Sequence, residues 1–171
     1  IKMDIKGMTA ISNDGKYHRK GAGGNLPCGE VYIPPRKRTA EGTIVIDGSS
    51  RNIFGTSLVR QPIEIEVRKG EITQISGGRE AELLQNSFTQ LTRKAKYPWG
   101  IKLVAELGIG FNPNAEIVGT MIIDEKTHGT CHIAFGSNYW FGGEIKAISH
   151  LDQVLRNPRI FVDGKELDLY Y

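Results

Sequence analysis

No stretch of this sequence approaches the ~18 consecutive apolar residues of a membrane-spanning helix, so a helical membrane protein is excluded. Cysteine is scarce: Cys28 and Cys131 are too few for a disulfide framework, and the expected setting is a reducing cytoplasm. Charge of one sign is also weak. Lys and Arg number 22 against 19 Asp and Glu, a net charge of +3, which gives no reason to expect a nucleic-acid partner. The basic stretches RKR at 36–38 and RKAKY at 93–97 read as solvated loop and helix-end charge. Motifs for common chemistries are missing too: there is no phosphate-loop GK[ST] and no G-x-S-x-G. In the glycine-rich segment at 21–26, Leu26 stands where a dinucleotide fingerprint needs glycine. There is no internal repeat, low-complexity tract or secretory-signal pattern, and position 1 is Ile, so the chain is expected to be part of a longer polypeptide.

What is present is an ordinary globular composition, 39% hydrophobic and 24% charged, in 171 residues that suit one domain. Glycine is abundant at 21 residues, which points to short strands and many turns rather than a helical bundle. Residues 1–20 read as an opening hairpin turning at Asn13-Asp14-Gly15. Strands are expected over 42–47, 62–67, 71–75, 101–109, 116–124 and 129–136, with a terminal hairpin at 161–167. In 62–67, Ile63, Ile65 and Val67 take one face and Glu64 and Glu66 the other. The spacing of Ala81, Leu84, Phe88 and Leu91 predicts one helix over 79–94. The expected class is α+β with a mostly antiparallel, barrel-like core, one long helix and short helical segments.

The strongest chemical cluster is His132, His150 and Asp152. Residues i and i+2 of an extended segment point the same way, so His150 and Asp152 can reach one ion. His132 shares a predicted strand face with Ala134 and Gly136, which leave room. Two imidazoles and a carboxylate suit Zn, Co, Mn or Fe(II). The same residues also fit a surface histidine beside a turn aspartate. Glu106 interrupts a small or apolar face just before Gly108 and Gly110, and Glu30 follows a special turn. Each fits either a carboxylate aimed into a cleft or a solvent-facing one. Cys131 and His132 face opposite ways on a strand, so Cys131 reads as a small buried hydrophobe, not a nucleophile.

Five segments occur in a telling order: NLPCGEVY at 25–32, AELGIGFNP at 105–113, DEK at 124–126, GTCHIAFG at 129–136, and GG at 142–143 leading to HLD at 150–152. With these the chain resembles the thermophilic metallo-aminopeptidases, the aminopeptidase T and aminopeptidase S family, over nearly its whole length. The resemblance implies that residues 1–171 form the C-terminal metal-binding domain, with an α/β N-terminal domain absent from this chain. It implies two divalent ions (Zn, Co, Mn or Mg) held by Glu30, Glu106, His132, His150 and Asp152, with Glu106 bridging. Tyr139 would stabilise the transition state, Glu125 matches an acidic ligand, and Glu106 or Glu125 would shuttle a proton. The activity so implied is removal of N-terminal residues from peptides by a two-metal-activated water. A cytoplasmic homodimer is expected, with a peptide or small molecule as substrate and no nucleic acid or membrane.

Some positions depart from that pattern. Leu151 stands where those aminopeptidases carry Trp, and Ile145 and Ala147 where they carry Asn and Ser. The segment HLDQVLRN at 150–157 is also similar to the dihydroxypyridine ring-cleaving dioxygenases of the same superfamily. That alternative implies one Fe(II) on His132, His150 and Asp152. A non-catalytic assembly domain is the third reading.

Overall fold

The structure, a computed structural model, describes residues 1–169. The strands and helices are, in chain order, β1 (Ile11–Asn13), β2 (Glu30–Ile33), β3 (Gly42–Ile46), β4 (Ser49–Asn52), β5 (Gly55–Leu58), β6 (Ile63–Arg68) and β7 (Glu71–Ser76), then α1 (Arg79–Lys94) and β8 (Val104–Gly110). After these come α2 (Met121–Asp124), β9 (Thr130–Gly136), β10 (His150–Arg156), β11 (Phe161–Val162) and β12 (Lys165–Glu166). The fold is α+β and mostly antiparallel. A seven-stranded sheet runs in the order β1-β2-β8-β9-β10-β4-β5, a second sheet is β3-β6-β7, and β11 pairs with β12. The sheets are open, so the expected barrel-like core takes the form of two sheets and a helix around one interior rather than a closed barrel. Among the described residues no helix is long and apolar enough to cross a membrane.

Alternation and helical period place the core. Ile63, Ile65 and Val67 of β6 point inward with Ile44 and Ile46 of β3. Ala81, Leu84 and Phe88 of α1 join them from one helix face. From the large sheet come Val104, Ile133, Phe135 and Leu151. Phe88 meets Phe135 edge to face, with ring centroids 5.8 Å apart. Glu80 and Glu82 in the first turn of α1 and Arg93 and Lys94 in its last oppose the helix dipole.

Three local expectations are corrected. The opening segment is not a hairpin: β1 pairs with β2, so its register comes from a partner beyond the glycine-rich loop. The expected strand over 116–124 is instead loop and the short α2, where the Asp124 carboxylate accepts the backbone N–H groups of Val118, Gly119 and Thr120. In the 101–109 segment, alternation is broken by a bulge between Val104 and Glu106. Val104 therefore lies opposite Phe135 on the core side, while Glu106 lies opposite Ala134 on the other.

Candidate metal centre

Register on the large sheet assembles the site. Across antiparallel strands, paired residues share a face. Glu30 pairs with Gly110 and Tyr32 with Gly108. Glu106 pairs with Ala134 and Gly108 with His132. His150 pairs with Gly136 and Asp152 with Ala134. Glu30, Tyr32, Glu106, His132, His150 and Asp152 thus come from four neighbouring strands onto the face opposite Ile133, Phe135 and Leu151.

Small residues between them form the basin. The His132 ring lies directly over Gly108, where a Cβ would stand 2.0 Å from its Nε2. Space for this histidine is thus made on the neighbouring strand as well as by Ala134 and Gly136 on its own. His132 Nε2 is 3.0 Å from Glu106 Oε1 and 3.7 Å from Glu30 Oε2. His150 Nε2 is 3.1 Å from Asp152 Oδ1 and 3.3 Å from Glu106 Oε2. One ligand atom from each of Glu106, His132 and Asp152 lies within 4.8 Å of the others, a spacing that one ion can span.

The donors fit a divalent metal. His150 Nδ1 is 2.7 Å from the Ser137 carbonyl oxygen, which can only accept, so Nδ1 carries the proton and Nε2 is left to bind. Among the described residues His132 Nδ1 is buried without a hydrogen-bond partner, so Nε2 is the ring atom that this side chain directs at the cluster.

The electrostatics also ask for positive charge. Burial disfavours the imidazolium of His132, but the hydrogen bond and charge of Glu106 outweigh it and raise its pKa to about 9. Burial likewise opposes the charged form of His150, yet Asp152 and Glu106 hold it well above the ordinary range. Burial would raise Asp152, but His150 pulls it down to about 2. Burial and the Asp152 charge push Glu125 up to about 7, against the pull of His132 and Lys126. Without a metal, the histidines answer the carboxylates by taking protons. A divalent ion would displace those protons.

A cavity of about 140 Å³ opens over the cluster, lined by Asn25, Glu30, Tyr32, Glu106, Glu125, Trp140, His150 and Asp152. Tyr139 is not in this lining. The turn at 139–141 buries Phe141 and sets Trp140 against His150, with centroids 5.0 Å apart. Tyr139 is left 58% exposed beneath Lys146 Nζ. Tyr32 and Trp140 line the cavity without having been singled out. Tyr32 was accessible to the same i, i+2 rule that linked His150 and Asp152, since it lies two residues beyond Glu30. Lys126 was missed as well. It is fully buried, with Nζ 2.9 Å from Glu30 Oε1 and in direct contact with Glu125 Oε1. Cys131 is buried, and burial with the nearby Asp47 charge pushes its thiol up to about 12, which leaves no thiolate for catalysis.

Fold and site together define an α+β domain able to hold a divalent ion on one face of its large sheet. The chain belongs to the 2,5-dihydroxypyridine 5,6-dioxygenase family, whose model matches residues 1–167. A 2,5-dihydroxypyridine 5,6-dioxygenase of Pseudomonas putida KT2440 is 30% identical over 170 residues, 94% of this chain and 47% of that protein. The chain thus spans about half the length of this relative. A solved structure of 2,5-dihydroxypyridine dioxygenase from Pseudomonas putida KT2440 is similar with a TM-score of 0.68 at 29% identity, over 80% of this chain and 41% of that one. AmpT from Thermus thermophilus shares the fold, with a TM-score of 0.62 at 18% identity, over 88% of this chain and 39% of that one.

These matches overturn the aminopeptidase assignment, and with it the hydrolase and metalloprotease reading. The dioxygenase and AmpT structures both share this fold, so the fold alone does not separate the two readings. The departures were the informative positions. Leu151 belongs to the main core, and Ile145 is buried with Leu103 and Ala105.

Proposed function

We propose that this chain is the metal-carrying half of a mononuclear iron(II) dioxygenase that opens a dihydroxypyridine-type ring. The match of residues 1–167 to the dioxygenase family carries the reading. In this reading His132, His150 and Asp152 would be the two-histidine, one-carboxylate set that suits Fe(II) with open positions, and Glu106, within reach of the same ion, would stand beside them. Bound iron(II) supplies the redox-active centre through which dioxygen can react with an aromatic ring. Within the domain reading, residues 1–171 are the C-terminal metal-binding domain, and the rest of the polypeptide walls the substrate from the other side.

The chain's own residues have separable tasks in this scheme. Glu106 lies beside both imidazoles. Its two oxygens lie 3.0 Å from His132 Nε2 and 3.3 Å from His150 Nε2, so a carboxylate stands next to the ligand cluster where it can take a ring hydroxyl proton at an oxygen. Trp140 and Tyr32 give the cavity an aromatic side, and the buried Phe141 packs edge to face against both, with centroids 5.1 Å from Trp140 and 5.3 Å from Tyr32. A flat heteroaromatic ring can pack against such a surface.

The test is oxygen uptake by the full-length polypeptide reconstituted with Fe(II) and given 2,5-dihydroxypyridine. Oxygen should fall in step with loss of the ring's absorbance, and Asp152→Ala should abolish both. Iron-loaded, folded protein that consumes no oxygen with this ring would refute the reading.

A further inference from the structure

Four carboxylates, those of Glu30, Glu106, Glu125 and Asp152, meet at this site. Such a crowd is the usual signature of two bridged metal ions. However, one place among them is already filled by a cation. Lys126 is among the largest fully buried side chains of the protein. Its Nζ lies 2.9 Å from Glu30 Oε1 and in contact with Glu125 Oε1. An ammonium has three donors, and two are directed at these carboxylates.

The backbone is built to hold it there. Asn112 N–H donates to the Lys126 carbonyl oxygen at 2.8 Å. At Gly110, opposite Glu30, a Cβ would stand 2.1 Å from Thr127 O and 2.8 Å from the Lys126 carbonyl carbon. Only glycine lets the 126–127 backbone press against the end of β8, and that pressure sets the height of the ammonium beside Glu30. Glu30 therefore faces Lys126 with one oxygen and His132, at 3.7 Å, with the other.

We propose that the Lys126 ammonium takes the place of a second metal ion, so that this four-carboxylate site binds one divalent ion per chain. A buried ammonium between two carboxylates supplies the counter-charge that a second ion would supply, and it blocks the oxygens such an ion needs. The inference rests on the cluster being a metal site, not on the ring-opening reaction.

The test is metal counting on purified full-length protein stripped with chelator and titrated with Mn(II) or Zn(II) by calorimetry. Mn(II) samples are also read by electron paramagnetic resonance, which distinguishes isolated from spin-coupled ions. Wild type should take one ion per chain with an uncoupled spectrum. Lys126→Met, checked by circular dichroism, should take two, with a coupled spectrum. Lys126→Met/Glu125→Gln should return to one. A folded Lys126→Met that still binds one ion overturns the inference alone, and a wild type that binds two overturns it together with the mononuclear reading. Binding of no ion overturns it together with the proposed function. Should Lys126→Met not fold, Lys126→Gln, which keeps a polar head without the charge, is counted in its place with the same two outcomes. No substrate or oxygen enters these measurements, so a failure of the oxygen-uptake test leaves their result standing.

Discussion

Replacing Gly108 by alanine tests the idea that the sheet's small residues, as much as its ligands, make the metal site. Gly108 sits in regular strand at a position that the backbone leaves open to alanine, so the fold should persist. The new methyl would stand 2.0 Å from His132 Nε2 and 2.2 Å from Cε1. Ordinary contact needs about 3.5 Å, so the ring must withdraw by about 1.5 Å. Metal–imidazole bonds are ~2.0–2.1 Å and tolerate only ~0.2 Å. The displaced ring is therefore lost as a ligand. Disturbing even the outer partners of a metal ligand costs about 10–100-fold in affinity, so at least that loss, roughly 1.4–2.8 kcal/mol, is expected. Calorimetric titration of metal-free Gly108→Ala with Zn(II) reads it, with circular dichroism to check the fold. Gly23→Ala is the control, because a Cβ there meets nothing within 4 Å. A folded Gly108→Ala that binds metal as tightly as wild type would refute the argument.

Phe88→Ala removes the helix's main contribution to the core and should cost about 3–5 kcal/mol, read as a lower urea midpoint; a loss below about 1 kcal/mol would mean that α1 is not docked as described. Cys131 should resist alkylation in native protein near pH 8 and react only after unfolding, while the less buried Cys28 labels first; fast native labelling of both would contradict the burial of β9. Metal-free protein should lose stability as pH rises. The folded pKa of His132 is raised to about 9 from 6.5, so its contribution is complete below about 6.5 and vanishes as pH climbs through about 9. Urea midpoints of metal-free protein at several pH values check this, and metal-loaded protein, whose histidines hold no exchangeable ligand-side proton, should lack that slope.

Local periodicity was enough to read much of this protein from its sequence. The helix at 79–94 and the strand and hairpin around 62–75 follow from 3.6-residue and two-residue spacing, because each buries one side against a common interior. The pairing of His150 with Asp152, and the inward path of Ile133 and Phe135 beside an outward His132, come from the same alternation. The family motifs likewise pointed to one metal-binding face, but the reaction read from them was the wrong one. What only the tertiary structure decided lies across strands. The bulge at Val104–Glu106 takes Val104 to the core side while Glu106 stays with Gly108 beside the histidines, and no spacing along β8 announces that parting. Gly108 makes room for His132 from a residue 24 positions away, a requirement set by register. The tight turn at 139–141 decides that Trp140 lines the cavity beside His150 while Tyr139 does not. The burial of Lys126 between Glu30 and Glu125 is visible only once Gly110 admits its backbone. Sequence order specifies which side chains a strand can present to one face. Whether they meet, and which charge answers which, depends on neighbours distant in the chain.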